Sequence, residues 1–188
     1  MACRSPIKLY YFRANGLINF GDDLSPKIVE MVTGRPVEWA HPTRCDLAAL
    51  GSILQRLVKH RRKRLFTAFG RKITVWGSGF IQPHTAIRAS DFEFLAVRGP
   101  STAALIEKLD QPIFGDPGIL LAELAAKPVA KEYEWGIIPH YHDLADPMIR
   151  ALVEAIPNAT VISVRDDPIE TLYKIKSCEK VVSLPFTV

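Results

Sequence analysis

The stretch Leu47-Ala48-Ala49-Leu50-Gly51-Ser52-Ile53-Leu54 sets out the plan of the chain. Four apolar residues read as a short buried strand. Gly51-Ser52 then turns the backbone, and Ile53, Leu54, Leu57 and Val58 recur at helical spacing. The same grammar repeats on either side. Downstream, Ile73 to Trp76 is a strand closed by Gly77-Ser78-Gly79. Phe92 to Val97 is another, ending at Arg98-Gly99-Pro100 and followed by a predicted helix from about Ser101 to Leu109. Ile113-Phe114 is a short strand ending at Gly115-Asp116-Pro117-Gly118. Upstream, Ile7 to Phe12 is β-branched and aromatic and runs into a polar, Gly-containing loop. Ser25-Pro26 offers an N-cap with proline at the first helical position, ahead of Ile28, Val29, Met31 and Val32, and Gly34 stops that helix.

A polar stretch from Lys127 to Glu132, interrupted by Pro128, marks a boundary. Beyond it Tyr133 to Ile138 is a strand, followed by Pro139-His140, a helix over roughly Asp146 to Ala155 and a strand over Thr160 to Val164. Asp167-Pro168-x-Glu170 opens a helix that runs to about Ser177, and Val181-Val182 begins a last strand. Strands alternating with helices specify parallel sheets covered on both faces. The expectation is an α/β chain of Rossmann-like parallel sheets in two units, residues 1–127 and 128–188, the second incomplete.

The composition fits a globular protein. Of 188 residues, 48% are hydrophobic and 23% charged, which excludes disordered and collagen-like classes. No apolar run reaches the length needed to span a bilayer as a helix, and the amino-terminal apolar stretch is short and contains Lys8, unlike a signal peptide. Three scattered cysteines, Cys3, Cys45 and Cys178, argue against a disulfide framework and for a reducing cytoplasm. The net charge of +4 is local, because no acidic residue lies between Leu47 and Ser90 and the run Lys59-His60-Arg61-Arg62-Lys63-Arg64 carries five positive charges. That run reads as the solvated, dipole-favoured end of a helix or as a peripheral contact with anionic membrane. No aromatic residue interleaves it, so nucleic acid is not the expected partner.

In open parallel sheets ligands bind beyond the carboxyl ends of the strands. That filter selects the candidate residues. Asp22 and Asp23, after the first strand, either orient or deprotonate a hydroxyl, or favour a helix N-terminus; Gly21 lets the backbone turn or approach a ligand. Gly51-Ser52 and Gly77-Ser78-Gly79 are either tight turns or anion cradles, and Gly77-x-Gly79 lacks the third glycine of a dinucleotide fingerprint. Arg98 suits a phosphate or carboxylate, Ser101 a helix cap or a ligand, and Asp116 a turn or a site carboxylate. His140 is a candidate general acid or base, and Arg165 a second anion grip. His140-x-His142 has no evident third ligand, so no metal site is expected, and Asp167 and Glu170 read as helix caps.

Taken in order, Asn19-Phe20-Gly21-Asp22-Asp23-Leu24, Gly51-Ser52-Ile53-Leu54, Trp76-Gly77-Ser78-Gly79-Phe80, Val97-Arg98-Gly99-Pro100-x-Thr102, Gly115-Asp116-Pro117, Ile138-Pro139-His140 and Val161-Ile162-Ser163-Val164 resemble the polysaccharide pyruvyl transferase family, its exopolysaccharide (succinoglycan-type) branch in particular. The resemblance runs from about Ile7 to Ser183. It implies a cytoplasmic bacterial transferase, at work on exopolysaccharide and acting at the inner face of the membrane. Such an enzyme moves a pyruvyl group from phosphoenolpyruvate onto a lipid-linked or nucleotide-linked saccharide as a ketal, with no metal or redox cofactor. It also implies a GT-B-like pair of Rossmann-like halves. The resemblance makes Asp22, Asp116 and His140 the catalytic candidates, and Asn19, Gly21, Ser52, Ser78, Gly79, Arg98, Ser101 and Arg165 the substrate-binding ones. The family motif continues as Ser-Leu-His-Gly where this chain reads Ser183-Leu184-Pro185-Phe186. Against that pattern the second unit is expected to be incomplete, and the chain is a transferase by family whose activity depends on whether the residues present suffice. A nucleotide-sugar glycosyltransferase and a non-catalytic saccharide- or polyanion-binding module are the alternatives.

Overall fold

A computed structural model of the chain describes residues 5–13, 18–67, 71–83 and 85–184. Cys3, the loop residues 14–17 and the carboxyl-terminal residues 185–188, all used in the sequence reading, lie outside that set. The chain is mixed α/β with parallel sheets, and it divides into two compact units. The first holds the opening strand and Gly21–Leu121; the second holds Arg13–Phe20 and Ala122–Val188. The division thus falls a few residues before the boundary expected at 127.

The first unit contains β1 (Ile7–Tyr10), α1 (Phe20–Thr33), β2 (Val37–Trp39), β3 (Leu47–Ala48), α2 (Leu54–Thr67), β4 (Thr74–Trp76), β5 (Ile87–Arg88), β6 (Glu93–Ala96), α3 (Pro100–Ala103) and β7 (Ile106–Glu107). Five strands form one parallel sheet in the order β2-β1-β3-β4-β6. Its register pairs Leu9 with Leu47, Tyr10 with Ala48, and Ala48 with Val75. Successive side chains of a strand face opposite ways. Tyr10, Ala48 and Val75 accordingly join Leu54, Leu57, Ile73 and Phe92 in one buried cluster. Leu9 is fully buried outside that cluster. The strand order reverses direction between β1 and β3, which makes their carboxyl ends a topological switch point.

Two expectations fail here for identifiable reasons. Ser25 and Pro26 do not start α1, which begins at Phe20 and contains Pro26. Asp22 and Asp23 occupy the first turn, where their charge complements the helix dipole, so the acidic pair rather than the proline defines the helix start. Proline lacks the N–H that would have bonded the Asp22 carbonyl, and one helical hydrogen bond is forgone. The helix expected to Leu109 ends at Ala103, because the chain turns through a Leu105 N–H to Thr102 carbonyl bond and Ile106-Glu107 pairs with β5. Burial of Ile87 and Ile106 in the core repays that pairing.

The second unit contains α4 (Leu121–Leu124) at its junction, β8 (Tyr133–Ile138), α5 (Pro147–Ala155), β9 (Ala159–Val161), α6 (Pro168–Lys176) and β10 (Cys178–Ser183). Its three strands are parallel in the order β10-β8-β9, so β8 is central and its carboxyl end is a second switch point. Asp146 caps α5 by accepting from the Met148 N–H at 2.8 Å. Asp167 caps α6 from the Ile169 and Glu170 N–H groups, as the sequence predicts. Each such cap contributes about 1 kcal/mol.

Gly77 is the tightest backbone approach in the first sheet's loops. Its φ is +81°, and a Cβ there would lie 2.2 Å from Pro117 Cδ and 2.7 Å from the Gly115 carbonyl oxygen. Gly77→Ala is therefore expected to lose about 2–4 kcal/mol of stability in denaturant titration. Gly99→Ala, whose added Cβ would meet nothing within 4 Å, is the control and should be near neutral.

Candidate functional site

The carboxyl ends of β1 and β3 open onto a cleft of about 500 Å³ lined by Phe12, Asp22, Ser52, Ile53, Gln55, Arg56, Lys59 and Ile81. Every one of these residues belongs to the first unit. Asp22 arrives from the first turn of α1, not from a loop, and Gly21 precedes it within the same turn. Gly51, at φ +95°, lets the backbone of the β3 loop pass close to it; a Cβ there would sit 3.2 Å from Asp22 Oδ1.

Burial, followed by the neighbouring charge of Asp23, pushes the Asp22 carboxyl up to about 6, against the opposing pull of Arg56 and Arg98. At neutral pH it is mostly ionised yet easily protonated, which is the condition for moving a proton in either direction. Arg56 lies in the first turn of α2, and that turn has no acidic residue. A cation placed there opposes the helix dipole and adds to the positive potential of the helix end. The Arg56 guanidinium lies over the Phe12 ring, 4.2 Å from its centroid. Arg56 and Lys59 thus bring two cations to the wall that Asp22 shares.

Arg98, directly after β6, is held by two partners. Its Nη1 donates to Ser52 Oγ at 2.6 Å and its Nε lies 3.4 Å from Asp116 Oδ2. Ser52 in turn lines the cleft, so Arg98 backs the cleft wall through Ser52. Asp116 accepts from the Gly118 N–H at 2.9 Å as a turn cap and pairs with Arg98. Ser78 is fully buried and its hydroxyl donates to the Ala49 carbonyl, knitting the β4 loop to β3. Gly79 joins that lattice, donating to the Gly51 carbonyl at 3.1 Å and accepting from the Leu54 N–H at 3.2 Å. Ser101 is exposed and lines a separate, apolar hollow with Phe80, Ile81, Thr102 and Leu105. It does not cap α3, whose N-cap is Gly99.

Asn19, His140 and Arg165 belong to the second unit. His140 follows β8 at the switch point of that sheet. Its ring packs against Tyr141, with centroids 4.2 Å apart, and stacks with His142 at 5.2 Å. The Arg165 guanidinium lies 5.2 Å from the centroid of Tyr141. Arg165 therefore sits beside the His140 cluster, as two post-strand loops of one parallel sheet should bring it. Among the described residues no group of three His, Cys, Asp or Glu side chains is arranged to hold a metal ion.

The basic run divides by function. Lys59 reaches the cleft, while Arg61 pairs with Asp91. His60 meets His41 edge-on at 4.7 Å, and burial followed by His41 holds its imidazolium below the usual range. Among the described residues, no helix is long and apolar enough to cross a membrane.

Of the residues lining the cleft, Phe12, Ile53, Gln55, Arg56, Lys59 and Ile81 are not among the site candidates read from the sequence. The available signal was the spacing of Arg56 and Lys59, three apart on one helix face downstream of Gly51-Ser52.

The state of Asp22 has a thermodynamic signature. Its folded value lies above the ordinary 3.8, so the native state binds this proton more tightly than the unfolded chain does. Ionisation therefore removes stability as pH rises through the interval from 3.8 to about 6. Asp22→Asn, which cannot ionise, is expected to melt above the native protein at pH 8, with the difference closing at pH 3.5. Equal midpoints at pH 8 would contradict the assignment.

None of the protein-family models, curated proteins or solved structures compared with the chain matches it.

Proposed function

We propose that the chain is a polysaccharide pyruvyl transferase of the exopolysaccharide type, which transfers the pyruvyl group of phosphoenolpyruvate to two hydroxyls of a saccharide. The Rossmann-like character of both sheets, their GT-B-like pairing and a place at the cytoplasmic face of a membrane belong to the same proposal. The observation that carries it is one cleft holding an acid/base carboxylate, Asp22, against two cations, Arg56 and Lys59. Phosphoenolpyruvate carries a phosphate and a carboxylate, and cations at a helix N-terminus suit both.

The chemistry uses these groups economically. A saccharide hydroxyl adds to the enol carbon as a proton reaches the terminal CH2, converting it to methyl. The second hydroxyl then displaces phosphate at the same carbon, its proton leaving with the phosphate, and the ketal is complete. Asp22 is placed to take the first hydroxyl proton and to return one to carbon. Arg56 and Lys59 hold the anionic groups and offset the charge that develops on the departing phosphate. Arg98 fixes Ser52, and His140 with Arg165 form a second acid/base and anion-binding cluster on the other unit.

The test incubates the protein with phosphoenolpyruvate and a saccharide bearing two free hydroxyls on one ring, and follows inorganic phosphate. Release that requires both substrates is expected, with Asp22→Asn slower by roughly a hundredfold or more. Release of a nucleoside diphosphate from a nucleotide-sugar, with no use of phosphoenolpyruvate, would establish the glycosyltransferase alternative instead.

A further inference from the structure

The proposed reaction gives no role to the second hollow of the first unit, a concavity of about 370 Å³ with Phe80, Ile81, Pro83 and Leu105 among its walls. Ile81 also lines the Asp22 cleft, so the two concavities share one residue. That residue is 71% exposed and open to a ligand. The shared wall is built onto α2. Gln55 Oε1 accepts from the Ile81 N–H at 3.0 Å, and Gln55 Nε2 donates to the Gln82 carbonyl at 3.4 Å. The Leu54 N–H donates to the Gly79 carbonyl at 3.2 Å. Three bonds to the first turn of α2 thus hold the segment from Gly79 to Gln82, and Arg56 and Lys59 stand on the same helix. Phe80 packs against the buried cluster of the sheet, which fixes another wall of the hollow.

We propose that the cleft and the hollow are two compartments of one ligand site, cationic at Arg56 and Lys59 and apolar at Phe80, Pro83 and Leu105, and that it takes an organic anion carrying a ring-sized apolar group next to its charge. The anion sets the orientation through directional, charge-assisted hydrogen bonds, and the apolar group adds affinity without direction. A ligand lying across Ile81 takes that side chain out of water together with its own apolar surface. Phosphoenolpyruvate has no such group and engages the cationic compartment alone. The inference rests on the reading of the cleft as an anion site, not on pyruvyl transfer. Two residues separate the compartments. Ser101 is exposed and lines the hollow, so a bulky side chain there fills the apolar part; Lys59 lines the cleft.

The experiment compares phenyl phosphate with methyl phosphate by calorimetry, because the two share a charged group and differ in the ring. Phenyl phosphate is expected to bind the native protein roughly tenfold more tightly, through burial of its ring. In Ser101→Trp that advantage is expected to shrink to about twofold or less, with methyl phosphate bound as before. Lys59→Gln is expected to weaken both ligands by roughly threefold to tenfold. Equal affinity of the native protein for the two phosphates overturns the proposal, and so does an advantage that survives in Ser101→Trp. Failure of both to bind overturns it together with the reading of the cleft as an anion site. Nuclear Overhauser contacts from the phenyl protons to the Ile81 and Leu105 methyl groups are expected in the native protein. Contacts to other methyl groups alone overturn the proposal, and this measurement decides should Ser101→Trp fail to fold. A phenyl advantage with no release of phosphate from phosphoenolpyruvate keeps the two-compartment site and removes the transferase reading. Phosphate release without a phenyl advantage does the reverse.

Discussion

The site depends on one opposition: the Asp22 carboxylate, drawn partly out of water, shares a single cleft with the cations Arg56 and Lys59. Burial and Asp23 push the carboxyl towards its neutral form, and Arg56 and Arg98 pull it back. Neither side wins outright, and the group is left near the pH at which proton transfer is efficient. A carboxylate in a fully solvated loop would stay ionised and be a poor proton donor. One paired directly with an arginine would be poorer still.

The sheet makes that balance possible. Parallel strands place all their carboxyl ends on one edge, and the reversal of order between β1 and β3 leaves room there. Into that room α1 brings Asp22 and α2 brings Arg56 and Lys59. The loops after β3, β4 and β6 are laced together behind it. Gly79 bonds to Gly51, Ser78 to Ala49, and Arg98 links Ser52 to Asp116. A firm rear wall keeps the cleft residues at fixed separations, as the proposed acid/base role of Asp22 would require.

Much of this was legible in the sequence. The rule that ligands bind after strands selects Asp22, Ser52, Arg98 and Asp116 as candidates. Arg98, Ser52 and Asp116 do meet in space, and Asp22 and Ser52 share the cleft. Arg56 and Lys59 escaped because they sit inside a helix, where basic residues ordinarily mean a solvated face, and Lys59 was absorbed into the run ending at Arg64. The start of α1 was misplaced because Ser25-Pro26 is a strong local signal, outweighed by the acidic turn before it. The strand β2 was missed for a different reason: three half-exposed or exposed residues at a sheet edge carry almost no periodic signal. The pairing of β7 with β5 is a long-range choice that no local pattern encodes.

A crystal structure of the protein soaked with phosphoenolpyruvate tests the central claim most directly. Density for the ligand is expected in the cleft, with an anionic group on Arg56 and Lys59 and the enol carbon within reach of Asp22. Ligand bound elsewhere at full occupancy, with the Asp22 cleft empty, would contradict it.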